Sequence, residues 1–177
     1  MARAKEITAE VYQVGGDGLS RGEDCCVYLV DGGTESALID TGAGRSASMI
    51  IDNIRATGVE LSSVKYIVVT HGHIDHIGGL AFLKEKLQAQ VIAHQLELPA
   101  IEEGLPHLTA ASWYGVKYEK VMVDQVLQGE EEIIKVGQLE LVCLHTPGHT
   151  VGGISPYIDI GGKRVLFGQD IHGPFNE

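Results

Sequence analysis

Residues 66–80 read YIVVTHGHIDHIGGL. Tyr66, Ile67, Val68 and Val69 make a short unbroken run of β-branched and aromatic residues, the mark of a buried strand. The run stops at Thr70. His71, His73, Asp75 and His76 then fall within six residues, and Gly78-Gly79 opens an apolar helical pattern that continues to Leu87. The polar cluster therefore sits where a strand ends and a helix begins, the position at which open α/β sheets place their sites.

Three imidazoles and a carboxylate this close together crowd polar groups against an apolar core, where unpaired groups are penalised. A bound cation removes that penalty, and nitrogen and carboxylate donors suit zinc, iron or manganese. His71 and His73, two apart, can splay around one ion, while Asp75 and His76 turn toward a second position.

This pattern resembles the hallmark THxHxDHxGG of the metallo-β-lactamase superfamily, standing here as Thr70-His71-Gly72-His73-Ile74-Asp75-His76-Ile77-Gly78-Gly79. Further motifs follow in family order. Leu38-Ile39-Asp40-Thr41-Gly42 ends a strand in a turn; the resemblance implies that Asp40 hydrogen-bonds to the metal loop without binding metal. Thr146-Pro147-Gly148-His149-Thr150 follows another strand, and His149 is implied to complete the first ligand set. Gly168-Gln169-Asp170 is implied to supply the carboxylate that bridges both metals. The resemblance runs from about Val11 to Asp170 and implies an α+β fold: a metallo-β-lactamase-like αβ/βα four-layer sandwich, two mixed sheets face to face with helices outside. It also implies zinc at two sites, His71, His73 and His149 at one and Asp75, His76 and Asp170 at the other, with iron or manganese as alternatives.

The match runs out after Asp170. The family pattern adds further strands and a histidine for the second metal, and the sequence stops at Glu177. Residues 1–177 thus read as one such domain with its C-terminal portion missing: a fragment of a longer protein, a short form whose second metal site is weak or empty, or a chain completed by another subunit; the loss exposes apolar surface that a partner would have to cover, which leaves a homo-oligomer open. His172 is a poor match for the absent ligand.

Elsewhere the chain reads as strands at Glu10–Val14, Cys25–Val30 and Glu35–Ile39, an antiparallel meander in which Cys25 and Cys26 are packed strand residues. A helix is expected over Ser46–Thr57, with Ala47, Met49, Ile50 and Ile54 on its apolar face. Further expectations are a strand at Gln90–Ala93, a helix at Leu96–Glu102, an irregular stretch from Glu103 to Tyr118, an apolar run at Val121–Leu127, and strands at Leu139–Leu144, Gly153–Ile160 and Lys163–Phe167. Trp113 and Tyr114 either wall a pocket or pack their loop down. His145 reads as structural.

Composition narrows the function. With 24 acidic against 13 basic residues the formal charge is −11, which disfavours a phosphate-backbone partner. No run is long and apolar enough for a membrane span, no signal pattern is present, and the three cysteines form no disulfide framework, all of which reads as cytoplasmic. The resemblance then implies a hydrolase in which a metal-bound hydroxide, oriented by Asp75, attacks an ester, thioester or lactone of a small-molecule substrate. The alternatives are a mononuclear iron enzyme like the persulfide dioxygenases and an inactive metal-binding fragment. Within the family the THxHxDHxGG pattern is nearest the glyoxalase-II-like group. An antibiotic-degrading role lacks a secretion signal, and the flavodiiron branch has Glu where His73 stands.

Overall fold

The computed structural model describes residues 4–16 and 18–171. His172, weighed above as a ligand, lies outside them. Seven strands form the first sheet in chain order: β1 (Lys5–Thr8), β2 (Val11–Gly15), β3 (Val27–Asp31), β4 (Ser36–Ile39), β5 (Val64–Val68), β6 (Gln90–His94) and β7 (Gln125–Leu127). The first four pair antiparallel. From β4 to β7 the pairing is parallel. The crossovers carry α1 (Ala47–Ala56) between β4 and β5, then α2 (Ile74–Ile77) and α3 (Leu80–Leu87) between β5 and β6. Between β6 and β7 lie α4 (Leu98–Ile101), α5 (Pro106–Thr109) and α6 (Ala111–Tyr114).

The second sheet is antiparallel throughout, in the order β11 (Lys163–Leu166), β10 (Ile154–Ile160), β9 (Leu139–His145), β8 (Glu131–Val136). Period-two alternation divides the core. Leu38, Ile67, Val91 and Ala93 face the helices with Ile50, Ile54, Leu80 and Leu83, while Ile39, Val68 and Ile92 point to the other side and meet Ile134, Leu141, Cys143 and Ile158 of the second sheet. Strands buried on both faces carry apolar residues at successive positions, which is why β4 and β5 read as unbroken apolar runs.

The two-sheet α+β sandwich is present. Among the described residues it has helices on the first sheet only, and the second sheet, expected to be mixed, is antiparallel because hairpins join its strands. Among the described residues the strands of that sheet lie within residues 131–166. Its outer surface leaves Ile133 and Leu166 about half exposed.

Several local expectations are corrected. β1 is an added edge strand. Cys25 and Cys26 precede β3: the Cys25 amide donates to the Asp75 carbonyl (3.2 Å) and the Gln169 side chain donates to the Cys26 carbonyl (2.9 Å), so neither group joins the ladder. Burial pushes the Cys25 thiol up to about 12, in keeping with a packing role. On α1 the buried face is Ala47, Ile50, Ile51 and Ile54, with Met49 exposed; Asn53 is buried instead and donates to the Val14 and Leu19 carbonyls. The helix expected from Gly78 to Leu87 is α3, which starts at Leu80 after the glycine pair, and the short α2 precedes the pair. Helix 96–102 is a 3-10 turn followed by α4, the irregular stretch contains α5 and α6, and only Gln125–Leu127 of the apolar run is a strand.

Candidate metal centre

All the candidate ligands emerge at one end of the sandwich. Asp40 leaves β4 with a left-handed backbone (φ 62°), a conformation Asp tolerates better than most residues. Its side chain is fully buried. One oxygen accepts from the Thr70 amide (2.8 Å). The other faces the Thr70 hydroxyl (2.7 Å), His76 Nδ1 (2.8 Å) and the Gln169 amide (2.6 Å). The Thr41 amide and hydroxyl both donate to the His76 carbonyl (2.8 and 2.6 Å). Gly78 and Gly79 lie so close to this turn that a Cβ on either would sit 2.3–2.4 Å from the backbone of Ala43 or Thr41. The glycine pair thus lets the β4 turn press the metal loop into place.

The imidazoles converge. His71 Nε2 is 3.2 Å from His73 Nδ1, and His149 Nε2 is 2.9 Å from the same atom. Asp170 Oδ2 lies 3.7 Å from His71 Nε2 and 3.3 Å from His149 Nε2. A tetrahedral zinc with bonds of ~2.0–2.1 Å keeps its donors ~3.3 Å apart, so the spacing fits one cation. The same Asp170 oxygen is 3.5 Å from His76 Nε2, which is 3.6 Å from Asp75 Oδ2. His76 Nε2 is buried and has no hydrogen-bond partner. A buried ring nitrogen without a partner, facing two carboxylate oxygens, fits a second cation with Asp170 shared between the two.

Electrostatics follow the same division. Burial, with His76 and His73 adding to it, holds His71 down to about 2. Burial and His149 lower His73. Burial would lower His76 too, but Cys25, Asp40 and Asp170 outweigh it and raise it. The His76 ring, more than any other contact, holds the Asp170 carboxyl down to about 2. The carboxylates that raise His76, Asp40 and Asp170, are the ones a cation held here would face.

Two contributors were invisible in the sequence. Glu97 is buried, and its two oxygens accept from the Gly72 amide and the Gly152 amide, both at 2.8 Å. It ties the loop bearing His71 and His73 to the loop bearing His149. Asp24 accepts from the Ala43 amide (2.8 Å) and the Ser46 hydroxyl, fixing the turn after Asp40. Nothing in the local pattern around either residue signals these long-range partners. His145 keeps its structural reading: Nε2 meets the Val151 carbonyl (3.0 Å) and the ring stacks on His94 at 4.0 Å.

A cleft of about 740 Å³ opens beside the cluster, bounded on one side by His73, Asp75, His149 and Asp170. The model of the metallo-beta-lactamase superfamily matches residues 21–171, most of the chain. The chain belongs to that superfamily. Among its relatives, hydroxyacylglutathione hydrolase GloC of Haemophilus influenzae is 29% identical over 147 residues, covering 82% of this chain and 65% of the relative. BJP-1, a subclass B3 metallo-beta-lactamase of Bradyrhizobium japonicum, superposes with a TM-score of 0.79 at 28% identity, covering 93% of this chain and 60% of that one. The class B3 di-zinc metallo-beta-lactamase LRA-12, from an Alaskan soil metagenome, gives 0.77 at 28% identity, covering 93% and 61%. The chain thus spans 60–65% of the length of these superfamily members. No described helix is long and apolar enough to cross a membrane.

Proposed function

We propose that the chain carries the centre of a metal-dependent hydrolase acting on a small-molecule carboxylic thioester, ester or lactone. The observation that carries this reading is the paired donor set: His71, His73, His149 and Asp170 within 4.8 Å of one another, and Asp75, His76 and Asp170 likewise. The first set would hold one zinc ion and the second set another, sharing Asp170; among the described residues the second set offers three donors against the first set's four, which makes it the weaker. Such ions lower the pKa of a bound water toward ~7 and polarise the acyl carbonyl. Asp40 keeps a proton on His76 Nδ1 and leaves Nε2 free to donate its lone pair. The Asp75 carboxylate, on the cleft wall, would accept a hydrogen bond from the attacking water and aim its oxygen at the acyl carbon. The C–O bond to water forms, the C–S or C–O bond to the leaving group breaks, and the leaving group takes the proton. A thioester is favoured by the relative named for hydroxyacylglutathione.

The test is metal analysis combined with turnover. The purified chain should hold close to one tightly bound zinc and a second more loosely, and should hydrolyse a hydroxyacyl thioester. His73→Ala should remove most of the metal while His145→Ala keeps it. Equal loss from both changes, or iron with oxygen uptake in place of hydrolysis, overturns the reading.

A further inference from the structure

We propose that the cleft beside the histidine cluster is an acyl site for an uncharged, apolar chain, with Trp113 as its wall; this deepens the hydrolase reading and rests on it for the position of the reacting carbonyl. Trp113 is 87% exposed, so it does not pack its loop. That task falls to Ala111 and Thr109, which are buried. α6 spans four residues between left-handed turns at Ala110 (φ 54°) and Gly115 (φ 61°). An indole carries a large apolar area that is ordinarily covered, and here it stands on the rim of a cavity.

The cavity brings the candidate ligands His73, Asp75, His149 and Asp170 together with Pro106, Ala110 and Trp113, and with the polar His107 and Ser112. Tyr114 also lines the cavity, with its hydroxyl against Asp75. The volume of about 740 Å³ lies in the ~300–1,000 Å³ range of small-molecule sites. Of the described lining residues none is lysine or arginine, while Asp75 and Asp170 are acidic. A carboxylate at the far end of a substrate would meet no fixed cation there, in a chain of net charge −11. A neutral acyl chain would cover the Trp113 ring, at no electrostatic cost, and leave its carbonyl among the imidazoles.

Trp113 is the single tryptophan of the sequence, so its emission reports this wall alone. Octanamide titrated into the full chain should shift that emission to the blue. Acetamide should not, and suberic acid monoamide, the same chain ending in a carboxylate, should bind at least ~10-fold more weakly. In parallel, kcat/KM for p-nitrophenyl acetate, butyrate and octanoate should rise ~3–4-fold per methylene. The rise should vanish in Trp113→Ala and persist in Trp113→Phe, with circular dichroism confirming that both variants fold. An unchanged emission with octanamide, or equal binding of the charged chain, overturns the acyl site. Turnover with a flat chain-length series would leave the hydrolase reading standing and remove this one. An emission shift without turnover would do the reverse.

Discussion

Asp40 acts through its hydrogen bonds to Thr70, His76 and Gln169. Asp40→Ala should weaken metal binding ~10–100-fold, the usual cost of losing a supporting carboxylate, yet saturate at the same stoichiometry; chelator competition measures both. A direct Asp40–metal bond in a metal-loaded crystal structure would contradict this. The histidines give a pH dependence with a fixed sign. In the metal-free chain His71 is held down to about 2, and His73 and His94 are lowered, chiefly by burial. The unfolded chain takes up protons at these positions near pH ~6.5 while the folded chain does not. Their contribution to stability is therefore lost as pH falls below that value. His76, which is raised, has the opposite sign: its contribution is complete below ~6.5 and disappears as pH climbs through its folded value. Between pH 7.5 and 5 the three losses outweigh the one gain, so the metal-free Tm should drop. His71→Asn should flatten the curve, and a Tm that rises on acidification would refute the assignment. At this scale the sequence was most legible where donors lie in a local pattern, as in His71 to His76. It was silent on Asp24 and Glu97, whose partners are brought to them only by folding.

The elements matter through the loops they hold. Glu97, on the 3-10 turn after β6, is a clamp between two loops that come from different sheets. A Cβ at Gly72 would lie 2.4 Å from the Ala100 side chain and 2.9 Å from a Glu97 oxygen, and one at Gly152 would lie 2.9 Å from both the Glu97 amide nitrogen and its side chain. Glu97→Gln replaces one accepting oxygen with an amide that cannot accept, leaving one glycine N–H buried without a partner at about 1–3 kcal/mol. A lower Tm and a faster release of any metal held between His73 and His149 are the expected results; if metal release is unchanged while Tm falls, Glu97 is structural only. The strands and the main helices were readable from periodicity. The edges were not: β1, the break at Gly78-Gly79, and the displacement of Met49 from the face of α1 each follow from contacts with residues far away in sequence. Trp113 was open between packing and pocket wall until its exposure became visible.

For the whole molecule, the donor set joins both sheets, so a metal bound there stabilises the sandwich itself. Ligand linkage gives about 2.7 kcal/mol at 100 times the dissociation constant, or roughly 5–11 °C in Tm for a domain of this size. Zinc should raise Tm by that amount and a chelator should remove it; no shift would mean that the cluster does not close on a cation. The separation of the donors has a consequence for how the protein matures. His73 and His149 are 76 positions apart, and Gln169 reaches back 129 positions to Asp40. Chains emerge N-terminus first and domains fold as units, so His71, His73, Asp75 and His76 are made well before His149 and Asp170. If the full set is what holds a cation, tight capture would wait until β9 to β11 had been made and laid against the first sheet, and retained metal would mark a chain whose two sheets have already found each other.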